Sequence, residues 1–167
     1  MTSVILKEGV EMPKFETELA AGRDVVVNSI LRAFKGETEI TGEKLEKMQE
    51  SFERGTFKMR GFERICFGTG VVMADIPSNI EFQMRDRGGV ALKKGLLVAN
   101  SPGTIDADFR GEVGLILINS SPYLIGVKKG ERLGQMVSAL VHKEELGSTY
   151  EIIPTQRGEG AYNSTGI

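Results

Sequence analysis

Apolar residues come in short runs rich in β-branched side chains, each closed by glycine, proline, asparagine or aspartate. The runs are DVVVNSI (24–30), FERICF (62–67), GVVMAD (70–75), NIEFQM (79–84), GLLVAN (95–100), VGLILIN (113–119), YLIGV (123–127), LGQMVSALV (133–141) and TYEII (149–153). Strands of this length at roughly 8–14 residue spacing predict an all-β barrel or jelly roll. One stretch follows a different period. In TGEKLEKMQESFERG, Leu45, Met48 and Phe52 fall three and four residues apart, with Glu43–Lys47 and Glu50–Arg54 at i,i+4. Thr41 stands where an N-cap belongs and Gly55 where a C-cap glycine belongs, which predicts one short helix over about 42–54. Its narrow apolar stripe is expected to pack on the barrel or on a neighbouring subunit. Residues 1–156 thus read as one β-barrel domain with a helical insertion at about 41–56, followed by a glycine-rich end, RGEGAYNSTGI (157–167).

Composition changes this picture little. A chain of 167 residues is long enough to bury the core of a single domain. Lysine and arginine number 21 against 23 acids, a net charge of −2. That balance gives no general surface for nucleic acid or membrane, so an anionic ligand must be held by a few placed groups. Cys66 is the single cysteine, so no internal disulfide forms, and a buried thiol in a reducing compartment is expected. No leader pattern or membrane-length apolar run is found, and a cytoplasmic location is expected.

The segment NSPGTIDADFRGEVGLILIN (100–119) carries the candidate chemistry. SPGT reads as a hairpin turn, with Pro102 fixing one torsion and Gly103 taking a positive one. If strand pairing resumes at Ile105, Asp106 and Asp108 share one face and Phe109 takes the other. A carboxylate beside a turn with an aromatic ring nearby suits a general base next to a stacking platform. Surface aspartates and a core phenylalanine satisfy the same pattern.

Five segments in order resemble the motifs of the trimeric dUTPases, the deoxyuridine triphosphate diphosphatases. They are AAGRDVVV (20–27), RGGVALKKG (87–95), NSPGTIDADFRGE (100–112), GERLGQMV (130–137) and RGEGAYNSTG (157–166). The resemblance implies a jelly-roll homotrimer with active sites shared between subunits, cleaving dUTP to dUMP and pyrophosphate with Mg²⁺. It gives Asp106 the role of orienting and deprotonating the attacking water, since an ordinary aspartate is ionised at neutral pH. Asn100, with the hairpin backbone at Gly103 and Ile105, would read the uracil edge. Phe109, where the family usually has tyrosine, would lie under the deoxyribose, and Tyr162 would cover the base. Arg87, Gly88, Gly89, Gln135, Arg157, Ser164 and Thr165 would contact the phosphates. Asp24 would hold Mg²⁺ through water, as suits a hard cation that keeps its hydration. The segment 157–167 would be a mobile lid.

Departures from the pattern concentrate in the second motif. The family usually reads Pro-Arg-Ser-Gly where this chain has Asp86-Arg87-Gly88-Gly89. The serine hydroxyl is lost and a carboxylate is gained. Ala161 and Asn163 stand at positions that are usually glycine. These changes feed two alternatives: a nucleotide-binding regulator with weakened turnover, and a diphosphatase for another deoxynucleotide such as dCTP. Deamination, known on the same fold, is disfavoured because Ile116 occupies the position of the needed glutamate. His142 and the lysine pairs 93–94 and 128–129 read as solvated strand ends.

Overall fold

The computed structural model describes residues 1–159. Its elements are β1 (Ser3–Leu6), β2 (Arg23–Val26), β3 (Ser29–Lys35), β4 (Thr38–Ile40), α1 (Glu43–Glu53), β5 (Thr56–Met59), β6 (Arg64–Asp75), β7 (Ile80–Asp86), α2 (Gly88–Lys94), β8 (Leu96–Val98), β9 (Gly103–Ile105), β10 (Glu112–Asn119), β11 (Ile125–Lys128) and β12 (Arg132–Leu140). A six-stranded sheet runs β4-β3-β6-β10-β8, with β1 also on β6, and a four-stranded sheet runs β2-β12-β7-β9. β11 and β5 form a separate pair. This is the expected all-β jelly-roll architecture. Among the described residues no helix is long and apolar enough to cross a membrane.

Period-2 alternation builds the core. On β10, Val113, Leu115 and Leu117 point inward and are essentially inaccessible, while Ile116 on the other face is 37% exposed. The runs 62–67 and 70–75 are one strand, β6, not two. The Gly68-Thr69-Gly70 step between them is a bulged crossing where neighbours come close. A side-chain carbon on Gly68 would lie 2.5 Å from Glu112 Oε1 and 2.6 Å from Ser29 Oγ, and Gly70 takes φ +74°. The pairing register slips on both sides of this step, between Glu112 and Gly114 and between Ile30 and Arg32.

The helix is where its stripe predicts, at Glu43–Glu53, and it packs on the barrel of its own chain. Phe52 is fully buried with its ring 5.5 Å from that of Phe67. Gln49 Nε2 donates to Ile30 O at 2.9 Å, and Lys129 Nζ pairs with Glu53 at 2.8 Å. Glu43–Lys47 and Glu50–Arg54 close at 2.6 and 2.8 Å. The N-cap is Gly42 rather than Thr41, with no side-chain cap bond. Gly55 follows the C-cap Arg54 with φ +152°, a conformation open to glycine.

Three further expectations are corrected. TYEII (149–153) is not a strand: no regular structure follows β12 among the described residues, and Tyr150, Ile152 and Ile153 are exposed. α2 is an element that the sequence pattern does not predict, since glycines at its first two positions are poor helix formers. Strand pairing does not resume at Ile105 but ends there, so Asp106, Ala107 and Asp108 lie in a turn and share no strand face.

Candidate active site

One group of polar residues gathers where β7 meets α2. Asp24 on β2 and Gln135 on β12 are register partners and so share a face. Arg87, the N-cap of α2, reaches across to both strands. Its Nη2 lies 2.8 Å from Asp24 Oδ2 and its Nη1 donates to Arg132 O at 2.7 Å. Arg132 Nη1 lies 3.4 Å from the same Asp24 oxygen and 2.6 Å from Glu16 Oε1. Glu16 is brought there by the loop before β2, which doubles back through Asp24 N to Lys14 O (3.2 Å) and stacks Arg23 on Phe15 at 4.0 Å. The hydrogen bond from Arg132 holds the Glu16 carboxyl below its ordinary range, and Glu16 in turn raises Arg132.

Arg87, Arg132 and Gln135 border a cleft of about 480 Å³, lined also by Gly88, Gly89, Lys93 and one acid, Glu131. Three cations and the first amides of α2, which lack intrahelical acceptors, suit a polyanion. A side-chain carbon at Gly88 or Gly89 would meet nothing within 4 Å, so these glycines leave open space rather than avoid a clash. Gln135 is pinned, with its Nε2 donating to Asp86 O at 2.8 Å.

Asp24, the residue expected to hold a cation through water, faces two arginines. Its side chain is 11% exposed, and Oδ2 has no aligned hydrogen bond although two guanidiniums face it. The contacts with Arg87 and Arg132 are therefore Coulombic, and they cover the oxygen. No cluster of three or more acidic, His or Cys side chains able to hold a metal occurs among the described residues. A Mg²⁺ at Asp24 would draw its remaining ligands from water and phosphate, which is the habit of that ion.

The second group lies on the β8–β9 hairpin and its exit. Asn100 is exposed, and Gly103 sits beneath it: a side-chain carbon there would lie 2.8 Å from Asn100 Nδ2. That close approach, not a positive torsion, is why residue 103 is glycine, and the Ser101–Pro102 bond in the turn is cis. Ile105 is buried, Asp106 is exposed, and Phe109 N donates to Asp106 O at 3.1 Å. Phe109 is 39% exposed with its ring over Gly111. A shallow cleft beside it includes Asp106, Asp108, Arg110 and Lys143.

Asp106 stands well away from Arg87 within one chain. Ile105 pairs with Phe82 near the start of β7, whereas Arg87 follows its end. At ~3.3 Å per residue, β7 holds Asp106 and Arg87 about 20 Å apart. Asp24, Arg87, Gly88, Gly89 and Gln135 are together; Asn100, Gly103, Ile105, Asp106 and Phe109 belong to the hairpin, whose root at Val98 touches Asp86 and whose far end carries Asp106 away from the cleft. Arg157 lies in the irregular segment after β12, and Tyr162, Ser164 and Thr165 fall outside the described residues. Three neighbours of the cleft escape sequence reasoning. Lys93 reads from sequence as a solvated strand end. Arg132 stands inside GERLGQMV without a role. Glu16 gives no signal until the loop is folded back.

Known proteins resemble the chain in both sequence and fold. The sequence model of the dUTPase family matches residues 56–166. A deoxyuridine 5'-triphosphate nucleotidohydrolase of Fusobacterium nucleatum is 36% identical over 163 residues, covering 98% of this chain and 94% of that protein. One from Hydrogenobaculum sp. (strain Y04AAS1) is 48% identical over 109 residues, 65% of this chain and 75% of that one. Among solved structures, the Staphylococcus bacteriophage 80alpha dUTPase with dUpNHpp superposes with a TM-score of 0.73 at 20% identity, covering 100% and 99% of the two chains. A point mutant of the phage phi11 dUTPase from S. aureus, described with a structural Mg(II) ion, gives 0.65 at 19% identity over 91% of this chain and 98% of that one. With most of its length matched and a full-length relative above a third identical, this chain belongs to the dUTPase family.

Proposed function

We propose that the protein hydrolyses dUTP to dUMP and pyrophosphate, with each active site assembled from more than one copy of the chain. The observation that carries this is the division of the site along β7. The polyanion cleft around Arg87 and the carboxylate of Asp106, at the far end of the hairpin, stand about 20 Å apart along β7, too far for both to act on one α-phosphorus within a chain. The described relatives act on deoxyuridine triphosphate by name, and each group supplies half of what that substrate needs.

In the assembled site the hairpin binds the nucleoside. Asn100 and the backbone from Gly103 to Ile105 take the base edge, and Phe109 lies against the sugar. Asp106, exposed at its turn, accepts a proton from water as that water attacks the α-phosphorus. Arg87, the amides of Gly88 and Gly89, and Gln135 hold the phosphates and draw charge toward the leaving pyrophosphate. Arg157, Ser164, Thr165 and Tyr162 close the site from the C-terminal segment. Asp24 would hold Mg²⁺ through water, and the ion would supply charge neutralisation on the phosphates. A homotrimer provides the repeated interface, and the exposed Tyr150, Ile152 and Ile153 offer apolar surface for a second copy to cover. The unpaired Cys66 suits the reducing cytoplasm.

The test is to incubate the protein with Mg²⁺ and each deoxynucleoside triphosphate in turn, measuring pyrophosphate. Turnover of dUTP alone, lost in Asp106→Asn, supports the proposal. Turnover of dCTP in its place would redirect it to another base, and tight dUTP binding without turnover would make the protein a regulator. Sharing of the site is tested by mixing inactive Asp106→Asn and Arg87→Ala chains after unfolding and joint refolding. Activity returns in the mixture if sites are shared, and stays absent if each chain works alone.

A further inference from the structure

We propose that Asp86, which stands where the family usually has proline, is a positioning residue that ties the phosphate cleft to the base-reading hairpin. The inference rests on the dUTP-hydrolysis reading above. Asp86 ends β7 in the four-stranded sheet, and its carboxylate reaches the other sheet: Val98 N donates to Asp86 Oδ1 at 2.5 Å. β8, which carries Val98, is the edge strand of the six-stranded sheet, next to β10 alone. An antiparallel edge strand turns alternate N–H groups away from its partner. Val98 is 5% exposed, so without the carboxylate its amide would be buried with no acceptor. A proline side chain offers none.

The same residue holds two more parts of the site. Its carbonyl accepts from Gln135 Nε2 at 2.8 Å, and its backbone runs directly into Arg87. Val98 lies two residues before Asn100. One residue therefore sets the places of Arg87, the Gln135 amide and the root of the hairpin. In this chain the acid gained at 86 points into the sheet junction and not at the phosphates, which removes the electrostatic conflict its charge suggests on paper.

The experiment compares Asp86→Ala and Asp86→Asn with the unaltered protein by dUTP kinetics and by hydrogen exchange at the Val98 amide. Asp86→Ala should raise KM for dUTP about tenfold and expose the Val98 amide to fast exchange, because a hydrogen bond to a charged acceptor is lost. Asp86→Asn keeps an acceptor oxygen and should stay within about twofold of the parent KM with the amide protected. A lowered Tm in Asp86→Ala with unchanged KM would overturn the proposal in favour of a purely structural bond. Asp86→Asn behaving like Asp86→Ala would overturn it too. If Asp86→Ala does not fold, a deprotected Val98 amide in Asp86→Asn with KM unchanged is the overturning result. A parent protein that does not turn over dUTP refutes the functional reading, whereas Val98 exchange still reports on the clasp.

Discussion

Replacing Gly88 with serine should make this protein faster. Gly88 is the first helical residue after the N-cap Arg87, its φ lies outside the left-handed range, and a side-chain carbon there meets nothing within 4 Å. Serine therefore enters without displacing anything. In a helix it is preferred over glycine by about 0.5 kcal/mol, which for a chain of this size raises Tm by roughly 1–2 °C. The larger effect is chemical. A preorganised donor facing charge that develops in the transition state is worth about 3 kcal/mol, or about a hundredfold in rate. The amides of Gly88 and Gly89 already face the same cleft, so a gain of about 10- to 100-fold in kcat is the expected range. Because the hydroxyl acts on the leaving group rather than on bound substrate, KM should change little. The assay is steady-state pyrophosphate release for the parent, Gly88→Ser and Gly88→Ala, the last carrying the backbone effect without the hydroxyl. A Gly88→Ser kcat within twofold of Gly88→Ala, in a folded protein, would refute the placement of residue 88 beside the breaking bond.

Other expectations follow from packing and burial. Phe52→Ala removes a fully buried ring that lies 5.5 Å from Phe67; it should cost about 3–5 kcal/mol and lower Tm by roughly 6–20 °C, measured by calorimetry. Burial pushes the Cys66 thiol above its ordinary range, so less of it is thiolate at a given pH than for an exposed cysteine. Labelling by a thiol reagent should be slow at pH 8 and climb only above the ordinary cysteine range, whereas the urea-unfolded chain labels at once. The same shift leaves the folded protein unaffected by Cys66 below the ordinary thiol pKa and costs it stability as pH rises from that value up to the raised one, with no further loss above it. Deleting residues 157–167 removes no described strand, so Tm should hold while dUTP turnover falls by about two orders of magnitude or more; a truncated protein of full activity would leave that segment without a role.

Local signals in the sequence carry the helix and most strands. α1 is legible because its stripe and its two ion pairs are all made within or beside its eleven residues. β6 reads as two strands because Gly68 and Gly70 look like punctuation, and their reason is contact with Glu112, Ser29 and Val10, which are remote in sequence. TYEII has the composition of a strand but no pairing partner among the described residues. Asp24, Arg87 and Gln135 are recognisable through their motifs. The bridge from Glu16 through Arg132 to Asp24 is not, since it depends on a loop folding back. Asp86 is legible as an oddity, but the direction of its carboxylate is decided by Val98, twelve residues away.

The length of β7 also has a genetic meaning under the shared-site proposal. A chain that keeps half of each reaction centre at opposite ends of a strand is silent on its own, and newly made copies gain activity only as they find one another. The threshold for activity is then set by protein concentration before it is set by chemistry. A doubly defective copy does more than fall idle. A copy carrying both Asp106→Asn and Arg87→Ala occupies a place beside intact neighbours and spoils two centres. It should therefore lower the activity of normal chains made in the same cell by more than its own share, whereas Asp106→Asn alone, with its phosphate cleft intact, should not.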